Sequence, residues 1–209
     1  MHIAPAGLPS IFALAFMAAG GYFISPAITA VLFFPLALSV WFYRDPERAP
    51  DEICKDGTWL APADGKVVEV ERVFDPYAGN TTKIGIFMSG LDVHVNRFPS
   101  DGVVEEIVYV PGRKWFAIAP KSSEVNERLY VRADTPFGRT TVVQIAGIMA
   151  RRIACYTKKG AHLARGERYG MIKLGSKVDV YLPESIKPVV RTGEKVKAGV
   201  TAIGVINSK

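Results

Sequence analysis

The sequence predicts a mainly β protein: a compact β-sandwich or barrel-like body preceded by an N-terminal hydrophobic helical hairpin. Three observations lead there. Between His2 and Arg44 there is no Asp, Glu, Lys or Arg, so all 26 basic and all 20 acidic side chains lie from Arg44 onward. From Leu60 onward, short β-branched runs alternate with glycine, proline or aspartate, the composition of strands and their turns. After Tyr43 no stretch carries a long helical period.

In chain order, residues 8–23 and 27–43 are apolar runs interrupted at Ile24-Ser25-Pro26, where proline breaks a continuous helix. Each falls short of the roughly 20 residues that a bilayer core requires, which fits a tilted hairpin, a thin two-pass anchor or a re-entrant wedge. Trp41, Phe42 and Tyr43 followed by Arg44 have the composition of an interfacial end. A secretory signal would need a positive n-region, which is missing. The expected organisation is a membrane anchor over 1–43, a polar linker over 44–59 and a β-rich domain over 60–209. Basic residues downstream of the anchor place that domain on the cytoplasmic side of the inner membrane.

Strands are expected over 66–73, 83–88, 103–110, 129–131 and 140–145. Gly160, Leu163 and Gly166 recur 33 residues later as Gly193, Val196 and Gly199. The Gly-x-x-Val-x-x-Gly form resembles the turn of lipoyl and biotinyl carrier domains, which implies hammerhead-type β-turn units within the body. The net charge of +6 belongs to the charged part of the chain and suits an anionic partner. The apolar N-terminus favours lipid headgroups over nucleic acid. Cys54 and Cys155 form no Cys-x-x-Cys pair and no Cys/His cluster at metal-ligand spacing, so they read as reduced, buried small hydrophobes and no metal site is expected.

Chemistry concentrates at Met171 to Leu182, two short strand-like pieces around a bare Gly175-Ser176 step. Glycine lets its carbonyl be approached closely and admits unusual backbone angles, and Ser176 places a hydroxyl beside that carbonyl. With a base at hand, the hydroxyl can add to the Gly175 carbonyl. On the residues alone a tight bend in a strand accounts for the same step. Of the three histidines, His2 lies at the apolar end and His162 in a basic, glycine-flanked turn, which leaves His94 in Asp92-Val93-His94-Val95-Asn96-Arg97 as the candidate base. Asp64, in Pro62-Ala63-Asp64-Gly65, is the candidate acid partner, and a turn aspartate before glycine is its plainer reading. Arg113, Lys114, Trp115 and Phe116 combine two cations with two aromatics in an expected loop, suited to the headgroup layer or to covering substrate, and equally to folding back on the core.

Glu167 to Lys173 leading into Leu174-Gly175-Ser176, the aromatic-Arg-Asp-Pro-Glu-Arg junction at 43–48, Pro-Ala-Asp-Gly and Asp-Val-His-Val-Asn-Arg together resemble phosphatidylserine decarboxylases of the short bacterial type, over Phe42 to about Gly204. The resemblance implies self-cleavage between Gly175 and Ser176 by an Asp64–His94–Ser176 triad, giving a beta chain 1–175 and an alpha chain 176–209 that stay associated. It implies that Ser176 becomes a pyruvoyl group, the one cofactor, through ester formation, elimination and hydrolysis. It further implies decarboxylation of phosphatidylserine to phosphatidylethanolamine by a Schiff-base mechanism, at a membrane, with homo-oligomers left open. Some relatives carry a second histidine where this chain has Arg97, so His94 is expected to serve both reactions. A membrane-anchored serine hydrolase would use the same three side chains but lacks the Gly-x-Ser-x-Gly elbow, since Val178 follows. A lipoyl-type carrier would need an exposed hairpin-tip lysine, for which only Lys173 offers itself.

Overall fold

The computed structural model describes residues 2–207 except 52–53, 55–56, 113–124, 148–152 and 174. Contacts divide the chain into two units, Met1–Glu47 and Arg48–Lys209.

In the first unit, β1 (His2–Ile3) leads through a short 3-10 turn into α1 (Leu8–Tyr22), which packs on α2 (Pro26–Phe42). β2 (Arg44–Asp45) then pairs antiparallel with β1 and closes the hairpin. The break falls at Ile24-Ser25-Pro26 for a local reason. The Ser25 hydroxyl accepts from Ala27 N–H at 3.2 Å, and proline at the first helical position gives up no needed donor. Pro5–Tyr22 is 18 residues with a mean hydropathy of 1.2, long and apolar enough to cross a membrane; α2 is apolar over 17 residues. Both helices expose large apolar side chains, Phe12, Phe16, Phe33 and Phe34 among them. Arg44 stacks over the Trp41 ring at 4.0 Å and donates to the Trp41 carbonyl at 2.8 Å.

The second unit is mainly β in its described residues. Its strands are β3 (Trp59–Leu60), β4 (Gly65–Asp75), β5 (Gly79–Met88), β6 (Val95–Arg97), β7 (Gly102–Val110), β8 (Arg128–Thr135), β9 (Gly138–Ile145), β10 (Ile153–Cys155), β11 (His162–Leu163), β12 (Arg168–Ile172), β13 (Ser176–Pro183), β14 (Ile186–Pro188), β15 (Lys195–Val196) and β16 (Ala202–Ile206). All five predicted runs lie inside β4, β5, β7, β8 and β9. Eight strands form one curled antiparallel sheet in the order β11-β7-β8-β9-β13-β5-β4-β15, a half-barrel. Two three-stranded sheets, β10-β12-β6 and β14-β16-β3, complete the body.

The 33-residue repeat marks both edges of the large sheet. Leu163 in β11 and Val196 in β15 are buried at its opposite ends, and the four repeat glycines all have positive φ, from 70° to 101°. The sheet curls far enough to bring the two repeat turns side by side: a Cβ added at Gly199 would stand 3.7 Å from the Gly166 Cα.

β13 is buried on both faces. Val178, Val180 and Leu182 join Ile84, Ile86 and Val142 in the apolar core. On the opposite face Lys177 Nζ meets Glu69 at 2.7 Å and Asp179 at 3.0 Å, and Lys83 Nζ meets Glu69 at 3.0 Å and Glu71 at 2.8 Å. Burial alone would raise the Glu69 carboxyl, but hydrogen bonds and charge from Lys177 and Lys83 outweigh it and bring the group from 4.5 down to about 2. A depressed carboxyl stabilises the fold fully above its unfolded value, and that share is lost as pH falls from about 4.5 through about 2. Glu69→Gln is therefore expected to lower stability at neutral pH by about 1 kcal/mol, the screened worth of such a pair, and to flatten the loss of thermal stability below pH 4.5. Unfolding temperature measured against pH for both chains checks this.

Candidate functional site

The Gly175-Ser176 step sits where the chain leaves one sheet for another. β12 is the middle strand of β10-β12-β6, whereas β13 is an interior strand of the eight-stranded sheet. Gly175 turns between them at φ +60°, in the left-handed region, with open space where a Cβ would stand. The backbone angle and not crowding therefore favours glycine here.

Ser176 is the first residue of β13 and is fully buried. It pairs across to Met88, the last residue of β5, and its hydroxyl points at the Met88 sulfur at 3.5 Å. Beyond Met88 the chain makes a tight turn. Asp92 Oδ2 accepts from both the N–H and the hydroxyl of Ser89, each at 2.7 Å. That turn delivers His94, also fully buried, whose carbonyl accepts from Ile172 N–H at 3.3 Å. Met88 thus ties the turn to Ser176 and His94 ties it to Ile172, four residues upstream of Ser176, so the serine and the histidine occupy one corner of the body.

The His94 Nδ1 lies 2.8 Å from the Asp92 carbonyl oxygen. A carbonyl can only accept, so this contact sets Nδ1 as the protonated nitrogen and leaves Nε2 of the neutral ring as the proton acceptor. The sequence assigned that orienting contact to Asp64. The structure differs: the Asp64 carboxylate receives both terminal nitrogens of Arg48, Nη1 on Oδ1 and Nη2 on Oδ2 at 2.8 Å, together with Ala198 N–H at 2.8 Å. A guanidinium fork matches both oxygens of a carboxylate at once, which an imidazole cannot do. Asp64 nevertheless faces the turn, because it lines a cleft of about 660 Å³ together with Ser89 and Asp92.

Arg97 lies away from this chemistry. It is buried, donates to the Gly166 carbonyl at 2.9 Å, and runs so close to Gly199 that a Cβ there would stand 2.6 Å from its Cδ. It seals the seam between the two repeat turns. Arg113, Lys114, Trp115 and Phe116 lie outside the described residues. Lys173 is half-buried just after β12, unlike the exposed hairpin tip of a carrier.

Sequence reasoning missed Arg48, Met88, Asn96 and Gln144. The Gln144 amide donates to Asn96 Oδ1 at 2.7 Å, and Asn96 Nδ2 approaches the same Met88 sulfur at 3.7 Å. All four of Ser176, Met88, Asn96 and Gln144 are fully buried. One signal was available: Gln144 is the single amide in the apolar run 142–146 of a strand otherwise written for the core. Arg48 closes the charged junction after the apolar segment, where its pairing across 16 residues left no local trace.

A family model described as phosphatidylserine decarboxylase matches residues 36–204. Curated relatives bearing the name phosphatidylserine decarboxylase proenzyme are similar along most of their length. The one from Nitratidesulfovibrio vulgaris is 44% identical over 208 residues, covering 97% of this chain and 94% of its own. That from Cupriavidus taiwanensis is 43% identical over 206 residues, covering 91% and 93%. That from Ralstonia pickettii is 48% identical over 166 residues, covering 78% and 75%. With the matched region running from the end of α2 to β16 and taking in Asp64, His94, Gly175 and Ser176, the chain belongs to the phosphatidylserine decarboxylase family of carboxy-lyases.

Proposed function

We propose that this chain is a proenzyme that cuts itself between Gly175 and Ser176 and then decarboxylates phosphatidylserine to phosphatidylethanolamine. The observation that carries the reading is the placement of a fully buried serine directly after a left-handed glycine at the crossing between two sheets, in the same corner as a histidine whose Nδ1 is committed to a carbonyl.

The Ser176 hydroxyl turns from the Met88 sulfur, and its proton passes to His94 Nε2. The oxygen adds to the Gly175 carbonyl carbon, the amide C–N bond breaks, and the freed amine takes up a proton, which leaves Gly175 esterified to the Ser176 oxygen. Loss of the residue-176 α-proton expels the Gly175 carboxylate and leaves a carbon–carbon double bond. Addition of water there and loss of ammonia give the pyruvoyl group at the head of chain 176–209. Asp64 is the acid partner of His94 in this reading, and it must exchange Arg48 for the imidazole before the proton moves.

The site fits such a group because it is made in place from Ser176: the buried corner excludes bulk water, and β13 holds residue 176 at a set register. The group supplies a carbonyl that condenses with the substrate amine and accepts the electrons released as carbon dioxide leaves. This chain's own residues do the rest. β13 pairs with β5 from Ser176↔Met88 to Pro183↔Thr81 and with β9 from Lys177↔Ile145 to Tyr181↔Thr141, so the new N-terminus stays where the cut was made and the two chains remain one body. His94, freed after cleavage and held in the same corner as residue 176, is the proton carrier for the second reaction. The apolar helices α1 and α2 hold the enzyme in the membrane that contains its lipid substrate, with the body on the cytoplasmic side of the inner membrane.

Intact mass of the purified chain is expected to resolve fragments of 175 and 34 residues that co-elute under native conditions and separate only in denaturant, while Ser176→Ala stays whole. A wild-type chain that stays whole on incubation would sink the proposal. His94→Gln is expected to slow cleavage by about 10²–10⁴-fold, the usual worth of a positioned base, and Asp64→Asn to slow it in the same direction by a smaller factor. The time course of fragment appearance measures both.

A further inference from the structure

Leu91 is 73% exposed, yet the turn that carries it is firmly held. Asp92 Oδ2 binds Ser89 twice, Asp92 N–H returns to the Ser89 carbonyl at 3.1 Å, and Leu91 N–H donates to the Ser89 hydroxyl at 3.4 Å. A turn locked in this way holds its leucine outward. The residue after it, Asp92, supplies the carbonyl that orients His94.

Cations are most of the exposed charges around the turn, facing Asp51 and the half-buried Asp92. The cleft that Ser89 and Asp92 line is also lined by Lys66, Lys195 and Lys197, all three exposed. Of its carboxylates, Asp64 is neutralised by Arg48 and Asp92 is turned into the Ser89 cap, which leaves Asp51 as the exposed one. An apolar tip projecting beside a rim of ammonium groups is the pattern of a surface that rests on anionic lipid: the lysines meet the headgroups and the leucine passes between them to the acyl boundary.

We propose that the Leu91 turn and the Lys66–Lys195–Lys197 rim dock the body on the anionic surface of a bilayer, so that the cleft lined by Asp64 and Asp92 opens onto the lipid layer. This rests on the reading of the substrate as a bilayer lipid. Docking lets a headgroup enter the cleft while its acyl chains stay in the membrane, and it gives the body a contact with lipid separate from helices α1 and α2.

The test uses the full chain in vesicles, with Cys54→Ser and Cys155→Ser as background and a single Leu91→Cys carrying an environment-sensitive NBD fluorophore. Phe74→Cys, equally exposed at 73% but at the far end of the β4–β5 pair, is the control. The anchor holds both proteins on the vesicle, so any difference reports the body. In phosphatidylglycerol vesicles, quenching by lipids spin-labelled just below the headgroup is expected to be several-fold stronger at position 91 than at 74, and to weaken in phosphatidylcholine or on changing the three lysines to glutamine. Leu91→Asp is expected to cut decarboxylation of vesicle lipid about tenfold while leaving the time course of self-cleavage unchanged. Equal quenching at 91 and 74, or quenching indifferent to lipid charge, overturns the docking proposal. A wild-type chain that neither cuts itself nor releases carbon dioxide, yet is quenched at 91, overturns the decarboxylase reading and leaves the docking surface standing.

Discussion

The pairing of β13 along both of its edges is the constraint on which the rest of the body depends. Starting at Ser176, this strand is bonded to β5 on one side and β9 on the other, and it fills the apolar core with one face and an ionic network with the other. A residue at the head of an interior strand has almost no positional freedom. A chain break immediately before such a residue costs the fold little, because the ladder that fixes residue 176 is made by residues that follow it. The same arrangement explains why the step before it is a left-handed glycine, since the chain must change sheets within the three residues between Ile172 and Ser176.

The two glycine turns of the 33-residue repeat perform a complementary task. Each supplies a two-residue edge strand, β11 at one end of the large sheet and β15 at the other, and each covers an edge that would otherwise present open backbone groups. Where the turns meet, Arg97 runs between Gly166 and Gly199. This accounts for an arginine three residues after His94: the position faces the seam of the curled sheet and bonds a turn carbonyl. β6, which carries Arg97, pairs with β12, so the seam and the Ser176 corner share one short strand.

Electrostatics divide the body into regions with different work. The network of Glu69, Lys83, Lys177 and Asp179 lies behind β13, half-buried at Glu69 and Lys83, and pairs opposite charges, which makes it structural. The Ser176 corner is instead built from neutral groups, a hydroxyl, a thioether and two carboxamides, with the imidazole close by. The cleft outside that corner carries the exposed Lys66, Lys195 and Lys197 at its rim.

By itself the sequence determined the local features. The charge-free N-terminal stretch dictates an apolar hairpin, and Ser25-Pro26 carries its own cap, so the break between helices could be read in a few residues. Short β-branched runs such as 66–73 and 140–145 are strands because branched side chains pack well on a pleated surface, and Gly175-Ser176 and His94 stood out because few residue types can do their chemistry. What only the tertiary structure decided is who meets whom. Arg48 reaches Asp64 across 16 residues, Gln144 reaches Asn96 across 48, and Ser176 reaches Met88 across 88; none of these separations leaves a periodic signature. Asp64 and His94 were both legible as polar residues in suggestive motifs, but the partner of each was not, because a carboxylate takes the best-matched donor that the fold brings within reach, and the fold brings Arg48. The edge roles of the 33-residue repeat were likewise set by the order in which eight strands assemble, which depends on the packing of all of them at once.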